Sequence, residues 1–446
     1  MASKTLRKVL VHDDHGEVKG TMMTFGNRVK TRAVFSEEKR QRTAQARREG
    51  CDLAHQQSLY VSCTLCAATK LYKNAPRLPC FKATLEDILF FRSGPASNEP
   101  FFTKRRLVYD LQDLSEPEVS VRTLKLTQHI GSHQLTVYVS EFNPLPDDVT
   151  SYTWHDSTGQ SHELSMPTFC LTNIPKVDAH LRQYVSAAKW SYLRSLEKDD
   201  ELAWMTVSTA MGYAKANPNS LVADALDLWA ISRVIETPWE MCGDDTLGVS
   251  RIQDTSSPHH GKVPIPPIMD TQLDQIVIQH MLNPLRAVVV EKFEQLITPA
   301  KPEAWWEVYL SAFILLSHIE HLAKHSADHA RTHTMPGKYS NIPFLEGVFH
   351  TAKSILARFH FVCNGSAPLR LDWSSPKVAA MAKLDQQQVQ FMKRTQAMIA
   401  SREEEVLNLR ATHKYGKTLH WAGQLFYGDF DTSPVHVVEE LDEDGE

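Results

Sequence analysis

The chain has 446 residues, of which 42% are hydrophobic and 23% are charged, and its formal net charge is −5. This length suits two or three globular domains with a sizeable core, and no apolar run reaches the roughly 18 residues that span a bilayer. The composition therefore argues against a membrane protein, and the charged N-terminal residues predict no secretory signal peptide. We expect an intracellular protein whose cysteines stay reduced.

The first predicted region, residues 1–50, is polar and charged and has little periodicity. Within it, residues 28–48 carry eight Lys or Arg residues and two glutamates. The opposite end of the chain, residues 431–446, has six acids among its last eight residues. A basic end and an acidic end are typical of nucleic-acid-binding proteins. We therefore predict a basic, largely disordered arm over residues 1–50 and a solvated acidic tail.

The next region, residues 51–82, holds four of the seven cysteines, with the spacing C-x11-C-x2-C-x13-C. In a reduced compartment, four thiolates can close a tetrahedral zinc site and so fold a segment that is too small to fold alone. We predict a partial zinc-cluster segment that binds one Zn2+ ion, and scattered free thiols are the alternative that the spacing leaves open. The predicted ligands are Cys51, Cys63, Cys66 and Cys80.

A β-rich linker region follows over residues 83–168. The runs VSVRTLKLTQ and HQLTVYVSEF predict two strands, and the HIGS between them predicts a turn. Over residues 169–430, long runs with helical periodicity predict a helical regulatory domain. The predicted fold class is therefore mainly α: a small cysteine-rich zinc module and a short β-rich segment, followed by a large all-α helical domain.

Several helices can be placed within this domain. The first is expected to begin at Pro175. Another, apolar on nearly all sides and so expected in the core, has Asn219 or Ser220 as its N-cap. A third helical run should kink at Pro284. Further helices are predicted over residues 302–332, 344–363 and 376–412, and an internal loop is predicted over residues 249–267.

The predicted helix over residues 302–332 is rich in histidine. His321, His325 and His329 are four residues apart and share one face, with His318 one turn earlier. Imidazoles at this spacing can chelate a divalent metal, but the H-E-x-x-H motif of zinc hydrolases is absent. A polar face near a helix C-terminus, where histidine interacts favourably with the dipole, is the simpler interpretation.

Motifs typical of enzymes are absent from the sequence. The chain lacks the phosphate-binding G-x-x-x-x-G-K-[ST], the G-x-G-x-x-G that follows a strand, and the nucleophile motif G-x-S-x-G. Asp244 and Asp245 could hold a cation or form a solvated turn. Trp305, Trp306 and Trp421 could line a pocket or pack in the core. We therefore predict no catalytic activity and identify no small-molecule substrate.

Several stretches of the sequence resemble a known family. FSEEKRQRTAQARREG, CTLC and LPCFKATLEDILFFR are similar to the fungal binuclear zinc-cluster transcription factors, as are FLEGVFHTAKSILARFHFVCNG and LHWAGQLFYGDF. In that family six cysteines hold two zinc ions, in two half-motifs of C-x2-C followed by a lone cysteine. The resemblance implies that Cys51 closes the first half, that Cys63 and Cys66 form the second C-x2-C, and that Cys80 is the final ligand.

The chain departs from the family pattern between Gly50 and Cys51, where the family carries another C-x2-C and a basic helical turn. Four cysteines cannot bind two zinc ions in the six-thiolate arrangement. The absent turn is also where the family keeps the Lys or Arg side chains that read base edges. The cations that remain upstream can neutralise DNA phosphates and are the predicted DNA-binding residues. They are Lys39, Arg40, Arg42, Arg47 and Arg48.

The resemblance implies a nuclear, zinc-dependent transcription factor of RNA polymerase II genes. Its predicted partner is double-stranded DNA, bound weakly or without sequence preference because half of the cluster is absent, and the protein could form a homodimer or heterodimer. No membrane partner is expected. A second hypothesis is an interaction protein that keeps the helical body, does not bind DNA and associates with intact relatives.

Overall fold

The computed structural model describes residues 8–12, 18–25, 28–33, 88–94, 120–146, 148–195, 200–297, 302–362, 368–428 and 435–437. The chain divides into two compact units, Met1–Ala75 and Pro76–Glu446. Each unit contains β-structure of its own. Within the described residues, no helix combines the length and the apolar character that crossing a bilayer requires.

The first unit contains three strands, β1 Lys8–His12, β2 Val18–Phe25 and β3 Arg28–Ala33. They form an antiparallel sheet in the order β1-β2-β3. The expectation of a largely disordered arm over residues 1–50 is therefore corrected for these three stretches. The sequence carries two signals for β3 and the turn before it. RVKTRA alternates between basic and uncharged residues with a period of two, and the Gly-Asn pair before it is typical of a tight hairpin.

The second unit contains further strands in its described part. These are β4 Arg122–Thr127, β5 Leu135–Glu141, β6 Ser151–His155, β7 Ser161–Ser165, β8 Phe169–Leu171 and β9 Glu240–Cys242. They form a four-stranded sheet in the order β8-β5-β4-β9 and a separate hairpin, β6-β7. The two strands predicted from VSVRTLKLTQ and HQLTVYVSEF are confirmed as the antiparallel pair β4 and β5.

The helices of the second unit supply most of its core. The first five are α1 Ile174–Ser195, α2 Glu201–Ala216, α3 Leu221–Val234, α4 Pro267–Val277 and α5 Asn283–Ile297. The later ones are α6 Trp305–Thr332, α7 Ile342–Val362, α8 Pro376–Ala382, α9 Gln386–Ser401 and α10 Glu403–Ala411. Short 3-10 turns lie at Pro302–Ala304, Pro368–Arg370 and Ala422–Phe426.

Two strands of the four-stranded sheet come from the predicted helical domain rather than from the β-rich linker. β8 pairs with β5, and β9 pairs with β4. The edge strand β8 is covered by Gln272 of α4, whose amide accepts a hydrogen bond from the Leu171 backbone N–H (2.7 Å) and donates one to the Leu171 carbonyl (3.3 Å). The sheet and the helices also share one hydrophobic core. The linker and the helical domain are therefore parts of one folded body.

Burial of the central helices confirms the prediction, made from their apolar patterns, that these helices pack in the core. In α1, Leu181 and Ala188 are fully buried. Helix α3 is buried on nearly all sides, and Ser220 is its N-cap, where the side-chain oxygen accepts a hydrogen bond from the Ala223 N–H (3.2 Å). A helix with apolar residues on every side has no polar face that could be exposed to water, so it lies in the centre of the core.

The irregularity predicted at Pro284 is a π-helical turn, Ile278–Leu282, between α4 and α5. Proline has no backbone N–H, and its ring crowds the carbonyl four residues earlier, so the regular hydrogen-bond pattern fails there. The N–H of Asn283 bonds instead to the carbonyl of Ile278, five residues earlier. The wider turn therefore keeps the chain helical past the proline.

The structure differs from the predicted helices in two places. It contains helix α2, which is not predicted from the sequence, and it has three helices, α8, α9 and α10, where a single helix is predicted over residues 376–412. Lys383 ends α8 in the left-handed region at a φ of 51°. Asp385 begins α9 with a capping box, in which its carboxylate accepts a hydrogen bond from the Gln388 N–H (2.8 Å). These caps interrupt a run that periodicity alone predicts as continuous.

A buried carboxylate holds the C-terminal part of the second unit to α6. Glu320 is 4% exposed. It accepts hydrogen bonds from the backbone N–H groups of Leu419 (3.2 Å), Trp421 (2.7 Å) and Ala422 (2.8 Å). The first N–H groups of a helical turn have no partner within that turn, so Glu320 acts as the acceptor for the turn Ala422–Phe426.

Glu320→Ala should lower the free energy of unfolding by about 2–4 kcal/mol, because buried N–H groups would lose their acceptor. Chemical denaturation followed by tryptophan fluorescence measures the change. Glu404→Ala removes the same atoms from an exposed position on α10 and should change stability by at most about 0.5 kcal/mol. Equal effects of the two substitutions would contradict the role assigned to Glu320.

Candidate functional site

The residues predicted to bind zinc and DNA lie outside the described residues, so their roles stay predictions. Among the residues that the structure does describe, no group of three or more His, Cys, Asp or Glu side chains is placed to hold a metal ion. The residues outside the description are Cys51, Cys63, Cys66, Cys80, Lys39, Arg40, Arg42, Arg47 and Arg48.

Other polar and aromatic clusters of the sequence have structural partners. Asp245 accepts two hydrogen bonds from Arg122, at 2.5 and 2.9 Å, which favours a turn held by an ion pair over a cation site. Trp305, Trp306 and Trp421 are buried in the core, which confirms the second of their two interpretations.

Residues 88–94, here called the docked segment, follow the predicted zinc ligands in the chain and pack against the helices of the second unit. The side chains of Ile88, Phe90 and Phe91 are at most 4% exposed. The segment has no regular secondary structure, so its buried backbone groups need partners from elsewhere. Side chains of several helices provide them.

Two backbone groups at the start of the docked segment are bound by side chains of α7 and α5. The Leu89 N–H donates to Thr351 Oγ1 (2.8 Å), and the Ile88 carbonyl accepts from Arg286 Nε (2.7 Å). Leu89 also lies close to the surface of α7 at Gly347, where an added Cβ would come within 3.0 Å of Leu89 Cδ2. A side chain at position 347 would therefore require Leu89 to shift by a few tenths of an ångström.

The Phe90 carbonyl is bound by His318, a fully buried residue of α6. His318 Nε2 lies 2.6 Å from this carbonyl, and its Nδ1 lies 3.1 Å from Arg233 Nη2. A carbonyl can only accept and a guanidinium can only donate, so Nε2 carries the proton and Nδ1 is an acceptor. The imidazole is therefore neutral. Burial, and then the nearby Arg233 charge, hold the pKa of His318 well below its ordinary value.

Arg233 is itself held by Glu236, one turn later. Their side chains are both 4% exposed, and Arg233 Nη2 donates to Glu236 Oε1 at 2.9 Å. The guanidinium also lies 4.9 Å from the ring centre of Trp229. Burial raises the pKa of Glu236 to about 7, although the Arg233 charge lowers it in part. Burial lowers the pKa of Arg233 to about 10.

Arg92 holds the C-terminal end of the docked segment. Its Nη2 donates to Asp274 Oδ2 of α4 at 2.7 Å and to the carbonyl of Ile235, and its Nη1 donates to the carbonyl of Gly94 at 2.5 Å. The Arg92 and Asp274 side chains are 13% and 15% exposed. Burial, and then the Asp274 charge, raise the pKa of the neighbouring Asp270 to about 7.

The histidine-rich face of α6 borders this network. His321 Nε2 lies 3.6 Å from Glu236 Oε2, and the rings of His329 and His333 stack with their centres 4.1 Å apart. Burial is the main cause that lowers the pKa of His325 to about 3 and that of His329 to about 4. The histidine-rich face of α6 is therefore polar, as predicted by the interpretation without a metal, but it is partly enclosed. Neutral imidazoles there can lie near the two guanidinium groups without repulsion.

This arrangement is suited to holding a segment of chain in place. Sequence reasoning missed it, although a signal exists: charged residues at helical spacing inside helices that are otherwise apolar. Asp270 and Asp274 are four residues apart in α4, and Arg233 and Glu236 are three apart at the end of α3. Arg92 ends the apolar run ILFF. Charges in such positions need buried partners.

Comparisons with known proteins found a matching family and a curated relative. Residues 91–425 match the family described as KpeA transcription factor. The satratoxin biosynthesis SC3 cluster transcription factor SAT20 of Stachybotrys chartarum is 22% identical over 397 residues, covering 85% of this chain and 54% of that protein. The chain therefore spans about half the length of this curated relative. No solved structure matches the chain.

Arg92→Met should lower the free energy of unfolding by about 3–5 kcal/mol, because a partly buried Asp274 would lose its counter-ion. The double variant Arg92→Met/Asp274→Leu should be less destabilised than Arg92→Met alone, since it removes the unpaired charge. Chemical denaturation measures both.

The control for this pair is Arg331→Met. Arg331 pairs with Asp328 at 2.7 Å on the surface, where the arginine side chain is 73% exposed. Loss of this pair should cost at most about 1 kcal/mol. If the double variant is as unstable as Arg92→Met, the effect does not come from an uncompensated charge.

Asp270→Asn should change how the free energy of unfolding depends on pH, because the pKa of Asp270 is raised in the folded state. The folded state keeps a proton on Asp270 up to about pH 7, whereas the unfolded chain releases it near pH 4, so this group's contribution to stability falls as pH rises between these values. Asparagine has no such dependence. The unfolding free energy of the variant relative to the wild type should therefore rise with pH, by up to about 1.4 kcal/mol per unit between pH 5 and 7. A difference that stays flat would contradict this, and Asp244→Asn at an exposed position is the control.

Proposed function

The chain belongs to the KpeA transcription factor family, and from this membership we propose that it regulates RNA polymerase II genes in the nucleus by zinc-dependent binding to double-stranded DNA. The family match over residues 91–425 carries the proposal, because it takes in the end of the docked segment and most of the helical body. The relative from Stachybotrys chartarum, itself named a transcription factor, supports the same general role.

The proposed DNA-binding part is the chain that precedes the docked segment. Cys51, Cys63, Cys66 and Cys80 would bind one Zn2+ ion, whose bonds to four thiolates would fold the segment between them. The five arm cations between residues 39 and 48 would neutralise DNA phosphates. Phosphate contacts position a protein on the duplex without reading its sequence, so we propose binding with little sequence preference.

The docked segment supplies a physical link between this part and the helical body. Seven residues separate Cys80 from Ile88, whose side chain and carbonyl are held in the core. Even fully extended, such a connection spans no more than roughly 30 Å. The connection from the last predicted zinc ligand to the helical body is therefore short.

Full-length protein purified under reducing conditions should contain about one zinc ion per chain, measured by elemental analysis. Cys63→Ser/Cys66→Ser should lose the zinc and most of the affinity for duplex DNA, because two of four ligands are removed. Cys242→Ser, a half-buried residue of β9, is the matched control and should keep both.

Gel-shift titrations across salt concentrations test the mode of DNA binding. The five arm contacts alone would contribute about −4 to −5 to the slope of log K against log salt, with little difference among duplex sequences. A preference of about 1,000-fold for one sequence would indicate a specific reader instead. Absence of both zinc and duplex binding would overturn the proposal and favour a helical interaction protein that does not bind DNA.

A further inference from the structure

The sheet of the first unit separates charged from uncharged residues by strand register. Residues that pair directly across antiparallel strands share a face, and successive residues along a strand alternate between faces. One face of this sheet contains three cross-strand rows. They are Phe25–Arg28, Lys8–Met23–Lys30 and Leu10–Thr21–Arg32.

The opposite face contains the alternate residues of the same three strands. Its rows hold no charged residue of either sign. They are Thr24–Val29, Val9–Met22–Thr31 and Val11–Gly20–Ala33. The register shifts between Val11 and His12, where His12 pairs with Val18 and Lys19 of β2 has no paired position. In the six regular rows, four cations lie on one face and none on the other, and neither face has an acid.

The four cations lie close together in this register. Arg28, Lys30 and Arg32 occupy alternate positions of β3, about 6.6 Å apart. Lys8 is in the row of Lys30 but two strands away, at about 10 Å. Like charges on one face of a sheet repel each other, and this face has no acidic residue in its rows to offset them. Such a face is suited to a polyanion.

We propose that the basic face, defined by Lys8, Arg28, Lys30 and Arg32, contacts the phosphates of duplex DNA. Two features favour DNA over other polyanions. The chain belongs to a transcription factor family, and β3 ends six residues before the first of the predicted DNA-binding cations, Lys39. Duplex DNA carries one negative charge per about 1.7 Å of its axis, so several cations within about 13 Å can meet phosphates together.

The inference rests on the proposed DNA binding and extends it. The basic face would add sequence-independent contacts with the DNA backbone to those predicted for residues 39–48. The number of phosphates neutralised would then exceed the five expected from the arm alone, and the salt dependence of binding would be correspondingly steeper.

The test uses full-length, zinc-loaded protein and a duplex of fixed sequence, titrated at several salt concentrations. The triple variant Arg28→Gln/Lys30→Gln/Arg32→Gln should reduce the slope of log K against log salt by about 2 to 3, since each lost phosphate contact removes about 0.9. Lys8→Gln, on a different strand, should reduce it by about 1.

Two control variants separate the basic face from overall charge and from folding. Lys215→Gln/Lys377→Gln/Lys417→Gln changes the net charge equally at exposed positions of the second unit and should leave the slope unchanged. Arg28→Lys/Arg32→Lys keeps the charge of the face and should also keep the slope, because Lys and Arg neutralise phosphates equally.

The possible outcomes distinguish this inference from the proposed function. If the wild type binds duplex DNA and both the triple variant and Lys8→Gln keep its slope, the basic face makes no contact and the inference fails while the proposed function stands. If the wild type does not bind duplex DNA, the proposed function fails. Loss of binding to anionic lipid vesicles in the triple variant, with duplex binding unchanged, would assign the face to membranes instead and overturn the inference.

Discussion

The second unit is organised around the requirement that a charged group removed from water must have a partner. Arg92, Arg233 and Glu236 lie in or near the core, and each is bound by a group of opposite charge or by a backbone carbonyl. The same requirement sets the state of His318, which is neutral because it must accept from one cation and donate to one carbonyl. The position of the docked segment follows from these pairings, since a shift of one residue would leave Arg92 and the Phe90 carbonyl without their partners.

The docked segment lies across the N-terminal boundary of the family match. The match begins at residue 91, inside the segment, and continues to residue 425, inside the turn that Glu320 holds to α6. His318 and Glu320, two residues apart in α6, thus bind the residue just before the start of the matched region and the turn at its end.

The first unit is organised by electrostatics of a different kind. Alternation along three strands places cations on one face and uncharged residues on the other, and the following arm adds five further cations. The proposed zinc site and the proposed phosphate contacts are compatible, because a module folded by a metal would give a basic surface a defined shape. The absence of the first half-motif of the zinc cluster removes the base-reading turn of the resembled family, and the proposed contacts that remain are made to phosphates. These contacts depend on charge density and on salt rather than on base sequence.

The sequence alone determined the local features of this protein. Apolar periodicity located α1, α3 and α6, the Ser220 cap located the start of α3, and the proline at residue 284 marked the π-helical turn, because each depends on residues within a few positions of one another. The resemblance in short motifs indicated a transcription factor, and the family match supports that role. The tertiary structure alone decided the docked segment, the pairing of β8 and β9 with the predicted hairpin, and the partners of the buried charges. These depend on contacts between distant residues, such as Phe90 and His318, which are 228 positions apart. No local pattern contains that information, because a helical period shows which residues are buried but not which partners they meet.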